Sequence, residues 1–473
     1  MTANPLPTAQ AAAPAEQFDS LYEVRKKIYP RAVHGWFAGW RWVLIWATQI
    51  VYYGAPWLTW NGRQAVLFDL GARKFYIFGL VFWPQDFVFL TGLLVISALA
   101  LFLFTAVAGR LWCGYACPQT VYTEIFMWIE RKVEGERLAR MRLDRSAPGA
   151  RKFALKAVKH GIWIALALWT GFTFVGYFTP IKTLAVNVTT GALGPWETFW
   201  CLFYGFATYG NAGWMREQVC KYMCPYARFQ SVMFDRDTLV ITYDERRGEP
   251  RGSRSRSADH RAAGLGDCVD CGICVQVCPT GIDIRQGLQY ECIGCTACID
   301  GCNQVMDKIG YPRGLIRYST QKAVQSGAEE SSILAHVLRP RVMIYSAMLS
   351  ALVIGMLAAL YLRSPLKVDV IRDRATLYRE TREGLVENVY RVQIMNTREQ
   401  PRRYAISASG LAGMKVAVRQ PVEVSAAATQ AVAVAVRVDP AGLKTGSHPI
   451  VFRVEDVDDP RVRVEEKSRF FVR

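Results

Sequence analysis

Five long apolar segments dominate the pattern of hydrophobic and polar positions in this chain. Each contains about 20 residues with few charges, which is long enough for a helix to cross a lipid bilayer. Tryptophan and tyrosine are frequent near their ends, as is typical of residues at a membrane interface. Gln49 and Glu197 interrupt the first and fourth segments. The predicted spans are residues 42–60, 87–108, 161–179, 196–214 and 342–362.

After residue 362 the pattern changes to an alternation of apolar and polar residues. Turn residues such as Gly410, Gly413 and Pro440 separate the alternating stretches, which predict β-strands. About seven or eight short strands in this length point to an antiparallel β-sandwich of immunoglobulin type. The segment 363–473 contains no cysteine, so its core must hold without an inter-sheet disulfide. It could dock a periplasmic partner or serve only as a stabilising cap, and the sequence leaves both open.

Basic residues determine the predicted orientation of the spans. Residues 109–160 contain eleven Lys or Arg, whereas residues 61–86 contain three and residues 180–195 contain one. Because short loops rich in Lys and Arg remain in the cytoplasm, we expect the N-terminus and residues 215–341 to be cytoplasmic and the C-terminal domain to be periplasmic. No signal peptide is visible, and the Ala, Pro and Gln content of residues 3–17 predicts a disordered tail. The sequence thus predicts a multi-pass protein of the bacterial inner membrane.

The formal net charge of +17 does not require a nucleic-acid partner. Much of this charge belongs to the basic cytoplasmic loops, which are also attracted to anionic lipid headgroups. Residues 246–267 are rich in Arg, Gly and Ser and have no hydrophobic period, which indicates a solvated linker. RNA binding through Arg254 and Arg256 is the alternative. We expect no nucleic-acid partner.

Eight of the thirteen cysteines lie between residues 268 and 302, in two consecutive runs with the spacing C-x2-C-x2-C-x3-C. This is the spacing of bacterial ferredoxins, in which thiolates hold [4Fe–4S] clusters and the fourth cysteine of each run binds the other cluster. Zinc and disulfides are alternatives, but zinc sites usually have paired C-x2-C motifs separated by longer loops. We expect two [4Fe–4S] clusters, one held by Cys268, Cys271, Cys274 and Cys302, the other by Cys292, Cys295, Cys298 and Cys278.

A second cysteine motif, Cys-x3-Cys-Pro, follows the second predicted span at residues 113–118 and the fourth at residues 220–225. Spans one and two therefore resemble spans three and four as copies of one unit. His34-Gly35 and His160-Gly161 precede the two units at the same predicted depth. On a helix the i, i+4 spacing places both sulfurs on one face, and the proline that follows kinks or restarts the chain.

We expect these four thiols to converge into a catalytic metal or redox site at the cytoplasmic membrane face. Soft sulfur donors select Cu(I), so copper is the candidate metal. A third cluster is one alternative, and cysteines buried without any role are another. The histidines could equally contact lipid headgroups, and the unpaired Cys201 in the fourth span is interpreted as a packing residue. The candidate ligands are Cys113, Cys117, Cys220, Cys224, His34, His160 and Met223.

Two common redox cofactors are not indicated. A b-type heme needs histidines inside the bilayer, and none of the five histidines lies in a predicted span. No G-x-G-x-x-G loop follows a predicted strand, so a dinucleotide site of that type is not supported.

The expected fold class is a polytopic α-helical membrane protein with a cytoplasmic double-cluster ferredoxin-like insert and a C-terminal all-β immunoglobulin-like domain. In order, the predicted parts are a cytoplasmic tail (1–35), a four-span membrane domain with both Cys-x3-Cys-Pro motifs (36–235), a linker (236–266), a ferredoxin-type domain (267–311), a connector (312–341), the fifth span (342–362) and a periplasmic β-sandwich (363–473).

Several segments resemble one known family. KIYPRAVHGWFAGWRW (27–42), NGRQAVLFDLGARKFYIFGLVFWPQDF (61–87), both Cys-x3-Cys-Pro motifs and the ferredoxin runs are similar to the FixG/CcoG (RdxA) family, the bacterial cytochrome c oxidase accessory proteins. The resemblance covers nearly the whole chain. It implies a role in the biogenesis of the cbb-type heme–copper oxidase, in which electrons pass through the clusters and reduce Cu(II) to Cu(I). The Cys-x3-Cys-Pro motifs also resemble membrane subunits of periplasmic nitrate and nitrous oxide reductase systems.

Three functions therefore remain open. The first is a cupric reductase whose partners are the cbb-type oxidase, its copper-delivery factors and a cytoplasmic electron donor. The second is a general electron relay to a periplasmic reductase or the quinone pool. The third is a non-catalytic scaffold for oxidase assembly.

Overall fold

The computed structural model describes residues 27–254, 264–326, 338–373 and 378–472. The predicted disordered tail and Arg256 lie outside these residues, as do parts of the predicted linker and connector.

Helices form most of the described chain before residue 362. They are α1 Trp36–Gly54, α2 Phe87–Ala108, α3 Leu111–Tyr115, α4 Pro118–Glu134, α5 Arg137–Arg145, α6 Ala150–Val175, α7 Ile181–Thr190, α8 Pro195–Thr208, α9 Pro225–Met233, α10 Glu245–Gly248, α11 Ile273–Val277, α12 Ala297–Ile309, α13 Gln321–Ser326 and α14 Pro340–Tyr361. Within the described ranges, three helical segments are long and apolar enough to cross a membrane: Pro84–Ala108, α6 and α14. They agree with three of the five predicted spans and fit a membrane protein.

The first and fourth predicted spans have different bounds in the structure. The segment expected at 42–60 is helical from Trp36 to Gly54, and Thr59–Trp60 forms a strand. The segment expected at 196–214 is helical over Pro195–Thr208 and continues as a π-helix over Tyr209–Met215. With 14 residues, α8 is shorter than the roughly 20 residues that span a bilayer.

Helices α2 and α14 pack antiparallel, and polar contacts tie them together at both ends. At one end Arg363 binds Asp86 at 2.5 Å. At the other end the guanidinium of Arg339 donates to the carbonyl oxygen of Ala106 at 2.9 Å. Between these ends Gly92 packs closely on the sulfur of Met356. A side chain at residue 92 would crowd that sulfur, so glycine allows the two helices to approach. This pair therefore separates the part of the molecule near residue 86 from the part near residue 106.

The segment between α1 and α2 forms short strands that the sequence pattern does not predict. They are β1 Thr59–Trp60, β2 Arg63–Gln64, β3 Val66–Asp69, β4 Lys74–Ile77 and β5 Leu80–Phe82. Arg63 binds Glu399 of the C-terminal domain at 2.6 Å, and the Lys74 ammonium donates to the carbonyl oxygen of Ala427 at 2.8 Å. The segment thus docks on the C-terminal domain at the Asp86 end of α2.

The segment that carries both ferredoxin-like cysteine runs, residues 268–302, lies at the other end of α2 and is flanked by a pair of strands. Strand β6 Val240–Tyr243 pairs antiparallel with β7 Ile316–Ser319. The structural unit is therefore wider than the predicted domain of 267–311. The described start of the predicted linker also packs on this unit, since Arg247 binds Asp267 at 2.5 Å.

The C-terminal domain is a two-sheet antiparallel sandwich, as predicted. One sheet contains β8 Leu366–Arg372, β9 Arg379–Glu380, β10 Val386–Asn396, β12 Lys415–Ala417 and β14 Thr429–Val438, and the other contains β11 Arg402–Ser409, β13 Val422–Val424, β15 Gly446–Asp456 and β16 Arg463–Val472. Tyr390 and Phe452 face each other across the core at 4.9 Å in an edge-to-face contact, and both are fully buried. Apolar packing of this kind holds the two sheets together without a disulfide.

Candidate functional site

Two similar loops carry the ferredoxin-like cysteine runs. In each loop, the residues on both sides of the second cysteine have a left-handed backbone: Asp270 (φ 50°), Gly272 (φ 62°), Gly294 (φ 69°) and Thr296 (φ 60°). This conformation turns the chain tightly and is costly for residues other than glycine. The two runs therefore form one repeated loop shape that curls around its cysteines.

The loops enclose two small cavities lined mainly by apolar side chains. One is lined by Cys268, Cys271, Cys274 and Cys302. The other is lined by Cys278, Cys292, Cys295 and Cys298, with Cys274 also at its wall. These groups coincide with the crossed ligand sets expected from the spacing. In each set three cysteines share one loop, and the fourth is the last cysteine of the other run.

The donor chemistry at both positions fits a [4Fe–4S] cluster. Such a cluster binds one thiolate at each of four iron atoms, so its ligands need not approach one another as closely as the donors of one ion. The backbone N–H of Gly294 lies against the sulfur of Cys292, and that of Ile316 lies against Cys302. Both contacts favour thiolates. Burial raises the pKa of Cys302 to about 12, so a positively charged iron centre would be needed to hold this thiolate in an apolar site.

The two cluster sites differ in their surroundings. Cys271 of the first set is exposed, whereas Cys295 of the second is buried. We use the names distal site for Cys268, Cys271, Cys274 and Cys302, and proximal site for Cys278, Cys292, Cys295 and Cys298. The distal site reaches the protein surface, and the proximal site faces the helices that carry the Cys-x3-Cys-Pro motifs.

Neither Cys-x3-Cys-Pro motif lies on one continuous helix, contrary to the expectation from i, i+4 spacing. Helix α3 ends before Cys117, whose extended backbone (φ −61°, ψ 127°) precedes Pro118 at the start of α4. In the second motif, a π-helix over Val219–Met223 ends before Cys224, and Pro225 starts α9. The prolines restart the chain, as predicted, because proline fits the first turn of a helix.

The four motif thiols lie within electrostatic range of one another. Burial raises the pKa of Cys113 and of Cys220 to about 12, and the neighbouring thiols Cys117 and Cys224 add to the shift. The thiol of Cys113 also donates to the buried side-chain oxygen of Gln230 at 3.3 Å. We call Cys113, Cys117, Cys220 and Cys224 the thiol quartet.

The thiol quartet packs directly against the proximal site. Cys113 and Cys220 contact the buried apolar group formed by Val277, Ile293, Cys295 and Ala297. A side chain at Gly114 would overlap the backbone of Gly294 and Cys295. The first Cys-x3-Cys-Pro motif and the second cluster loop therefore touch through backbone atoms. This close approach explains why glycine is required at position 114, whereas Gly294 is required because its backbone is left-handed and a side chain there would overlap the backbone of Arg110.

Arg110 is a site residue that the sequence pattern did not identify. Its side chain is buried, with 6% exposed, and one guanidinium nitrogen donates to the carbonyl oxygen of Ala227 at 2.6 Å. Its charge opposes the effect of burial on the pKa of Cys113, Cys220 and Cys292. In the sequence Arg110 counts as one of many basic residues in the loop after the second span, so its burial beside the cysteines is not apparent.

The other candidate ligands are exposed or paired with a residue outside the thiol quartet. His34 is exposed, and its carbonyl oxygen accepts a hydrogen bond from Gln304 of α12. His160 lies inside α6 rather than before it, and its Nδ1 pairs with the hydroxyl of Tyr209 at 2.9 Å. Met223 is 56% exposed. His34 precedes α1 and His160 lies within α6, whereas their expected similar depth in the membrane stays a prediction.

Single-ion geometry is not preformed in the described part of the chain. Among these residues, no three His, Cys, Asp or Glu side chains lie close enough together to hold one metal ion.

The carbonyl oxygen of Cys201 lies against Gly171 of α6, where α8 crosses at close range. Because this contact is made by backbone atoms, the packing role of the Cys201 thiol stays a prediction.

Family models match three parts of the chain. A model described as a 4Fe-4S binding domain matches residues 90–135, and one described as a 4Fe-4S dicluster domain matches residues 215–321. A model described as an IG-like fold at the C-terminal of FixG matches residues 356–473. The chain therefore contains two ferredoxin-type 4Fe-4S regions and an immunoglobulin-like C-terminal domain.

Curated relatives match most of the chain. RdxB of Cereibacter sphaeroides is 41% identical over 414 residues, covering 86% of this chain and 87% of the relative. The nitrogen fixation protein FixG of Rhizobium meliloti is 39% identical over 430 residues, covering 84% and 82%. The crystal structure of a FixG-related protein from Vibrio parahaemolyticus is 27% identical, with a TM-score of 0.21, and covers 23% of this chain and 95% of that chain. The chain belongs to the FixG/RdxA family and is an iron–sulfur electron-transfer protein.

Proposed function

We propose that this protein is a cupric reductase that takes electrons from a cytoplasmic donor and reduces Cu(II) to Cu(I) at the thiol quartet, for assembly of a cbb-type cytochrome oxidase. The observation that carries the proposal is the packing of Cys113 and Cys220 against the buried group that contains Cys295. This packing supports the proposal because the soft donors would then adjoin the proximal site, and the distal site, with its exposed Cys271, would adjoin the proximal site in turn.

The residues of the two cluster sites have separate roles in this proposal. When bound, [4Fe–4S] clusters supply one-electron carriers. The exposed Cys271 places the distal site where a donor protein can approach. The buried Cys295 excludes water from the proximal site and lies beside the quartet. Cys274 lines both cavities and so joins the two sites.

Copper is the substrate in this scheme, and the quartet receives it. Each Cu(II) ion accepts one electron and becomes Cu(I), while the donor loses one electron. Thiolate sulfur favours Cu(I) over harder ions, so the same donors that accept the ion stabilise the product. Since no single-ion geometry is preformed in the described residues, copper would draw two or more of these thiols together, with loss of their protons.

The proposed orientation in the membrane follows from the distribution of Lys and Arg residues and from the parts of the protein that lie at each end of α2. Residues 109–160, with eleven Lys or Arg, lie at the cluster end, so we place that end in the cytoplasm. A reducing compartment also keeps cluster cysteines available for iron. The β-sandwich, which contacts Asp86 and Arg63 at the other end, would then be periplasmic and positioned to dock the oxidase or its copper-delivery factors.

A third iron–sulfur cluster at the thiol quartet is the second candidate. The match of residues 90–135 to a 4Fe-4S binding domain favours it, because this range contains Cys113 and Cys117. The described residues contain no preformed site for a single metal ion, and four thiols are the number of ligands that a [4Fe–4S] cluster needs. In this case the protein would be a relay whose electron acceptor is another protein.

Metal analysis of three variants separates the two candidates. If the quartet receives copper, Cys113→Ser and Cys224→Ser should each lose most of the Cu(I) affinity in a competition with bicinchoninate, and should keep about eight iron atoms per chain. Cys201→Ser is the matched control and should change neither metal. About twelve iron atoms in the unaltered protein, with a loss of about four in both quartet variants, would establish the third cluster instead and overturn the copper proposal.

Oxidase activity in cells distinguishes a non-catalytic scaffold from an electron-transfer protein. If electron transfer is required, Cys271→Ser and Cys295→Ser should lower oxidase activity when copper is scarce. Normal oxidase assembly in both variants, despite lost iron, would mean that the β-sandwich alone carries the function.

A further inference from the structure

A cavity of about 490 Å³ is lined by none of the cysteines. It is bounded by α4, α6 and the π-helix Tyr209–Met215, and its volume falls in the range of roughly 300–1,000 Å³ that is typical of small-molecule sites. None of the residues used in the proposed copper chemistry lines it.

The charged side chains around this cavity are already paired. At its buried end Glu130 binds Arg216 at 2.9 Å and lies 3.7 Å from Lys159. At its open end Asp144 binds Lys156 at 2.6 Å. Because each of these cations has a carboxylate partner, neither an anion nor a cation would gain much by binding here. The lining favours a neutral ligand with hydrogen-bonding oxygens.

Aromatic rings form one wall of the cavity. The ring of His160 stacks on Trp214, with centroids 5.7 Å apart and planes at 18°, and meets the edge of Trp163 at 5.2 Å. The hydroxyl of Tyr209 pairs with Nδ1 of His160 and fixes the orientation of its ring. A wall of this kind fits a flat, conjugated ring.

The π-helix is what places this wall. Tyr209 and Trp214 belong to it, and it ends at Arg216, whose left-handed backbone (φ 42°) is unusual for a residue with a long side chain. Isolated π-helical segments and strained backbones both occur frequently at functional sites. The π-helix and the strained backbone at Arg216 therefore destabilise this segment locally, and together they position Tyr209 and Trp214 around His160.

The mouth of the cavity combines the charged side chains of Lys27 and Lys156 with the ring of Trp214. Trp214 is 51% exposed, and Phe153, one turn before Lys156 on the same face of α6, is 77% exposed. Helix α6 is one of the three described segments that qualify as membrane spans. A ligand with an apolar tail would therefore contact Trp214 and Phe153 where it leaves the cavity.

We propose that this cavity binds the headgroup of a membrane quinone or quinol. That ligand is neutral and flat, carries two oxygens that Arg216, Lys159 and His160 can reach, and has a long apolar tail. Arg216 and Glu217 line both this cavity and a smaller one that reaches Cys220, so the bound ring would lie beside the thiol quartet. The proposal does not depend on copper binding.

Calorimetric titration of the full-length protein in detergent with decylubiquinone tests the site. One saturable site per chain is expected. Trp214→Ala and His160→Ala should each weaken binding by at least about tenfold, which corresponds to about 1.4 kcal/mol, whereas Trp214→Phe should restore most of it. Trp196→Ala, which removes a 73% exposed tryptophan from another helix, is the matched control and should bind normally. Iron content and circular dichroism check that each variant is folded.

Three results would overturn the proposal. The first is the absence of saturable binding in the unaltered protein. The second is an equal effect of Trp196→Ala, which would mean that decylubiquinone only partitions into the detergent. The third is saturable binding of phosphatidylglycerol, but not of decylubiquinone, with the same dependence on residues 160 and 214, because the occupant would then be a lipid headgroup. None of these results would bear on copper reduction.

Discussion

The hydroxyl of Tyr115 lies 2.8 Å from Oγ1 of Thr296, and this buried hydrogen bond joins the first Cys-x3-Cys-Pro motif to the second cluster loop. Thr296 in turn donates to the carbonyl oxygen of Cys295 at 2.6 Å, so Tyr115 is the donor in the first contact. Because Thr296 holds a left-handed backbone that is costly for threonine, the bond helps to maintain the loop around the proximal site. The position of the quartet and the shape of that loop are therefore coupled.

The first prediction concerns this coupling. Tyr115→Phe removes the donor and leaves Thr296 bonded to Cys295, so the protein should fold, keep its iron and lose about 1 kcal/mol of stability. The rate of Cu(II) reduction should fall because the quartet is held less firmly against Cys295. Tyr361→Phe, which alters an 89% exposed tyrosine, is the control. Unchanged thermal stability and unchanged reduction would show that the contact is incidental.

The local signals in the sequence predicted much of the site. The cysteine spacing alone grouped residues 268–302 into the two sets that line separate cavities, because the spacing acts within one short loop. The alternating pattern after residue 362 likewise predicted the β-sandwich, since burial on one face of a strand follows directly from alternation.

Contacts between distant segments could not be predicted in this way. The i, i+4 spacing suggested one helix for each motif, but Cys117 and Cys224 each precede a proline, which disfavours a helical backbone at the residue before it. The docking of Gly114 on Gly294 joins residues far apart in the chain, and no periodicity reports it. Arg110 was counted only as a basic loop residue because its burial depends on α9 and the cluster loop.

A second prediction tests the crossed arrangement of the clusters. Cys302→Ser should remove the distal cluster and leave the exposed Cys271 open to iodoacetamide, whereas Cys278→Ser should remove the proximal cluster and leave Cys271 protected. Each variant should retain about four iron atoms per chain. Mass spectrometry identifies the alkylated residue. Protection of Cys271 in the Cys302 variant would mean that each run binds its own cluster.

The third prediction concerns orientation. A phosphatase that is active only in the periplasm should be active when fused after Arg473 and silent when fused after Arg254. The β-sandwich, whose last strand ends at Val472, lies at the Asp86 end of α2, whereas Arg254 contacts Cys268 near the opposite end, where the basic loops lie. A cytoplasm-active reporter at the same two positions serves as the control. The reverse pattern would place the clusters outside.

The fourth prediction concerns the contact between the first β-segment and the C-terminal domain. Glu399 accepts hydrogen bonds from Arg63 at 2.6 Å and from the indole of Trp60 at 3.1 Å. Glu399→Ala should loosen this docking, so the amide hydrogens of residues 59–78 should exchange faster with deuterium. Glu465→Ala, which removes an exposed partner of Arg453 within one sheet, should leave that exchange unchanged. Equal exchange in both variants would show that Val81, Trp83 and Met395 hold the domains together without the ion pair.

The last prediction concerns the buried ion pairs between α4 and the π-helix. Burial alone would raise the pKa of Glu130, but Arg216, Lys159 and Arg140 more than offset it, so its pKa lies below the usual value. A carboxyl group whose pKa is lowered by folding stabilises the protein at a pH above its unfolded pKa of about 4.3, and this contribution disappears as the pH falls through the folded pKa. The stability supplied by Glu130 should therefore be constant between pH 7 and pH 5.

Glu130→Gln leaves those buried cations without their shared carboxylate and should cost roughly 3–5 kcal/mol at neutral pH. Thermal unfolding of the solubilised protein should show the same deficit at pH 7 and pH 5, and a smaller one at lower pH because the native carboxyl group then becomes protonated as well. Glu465→Gln, in an exposed pair with Arg453, should change stability little at either pH. A Glu130→Gln deficit that already shrinks between pH 7 and pH 5 would mean that folding raises the pKa of Glu130, since only a carboxyl group that protonates early loses its ion pairs in that range.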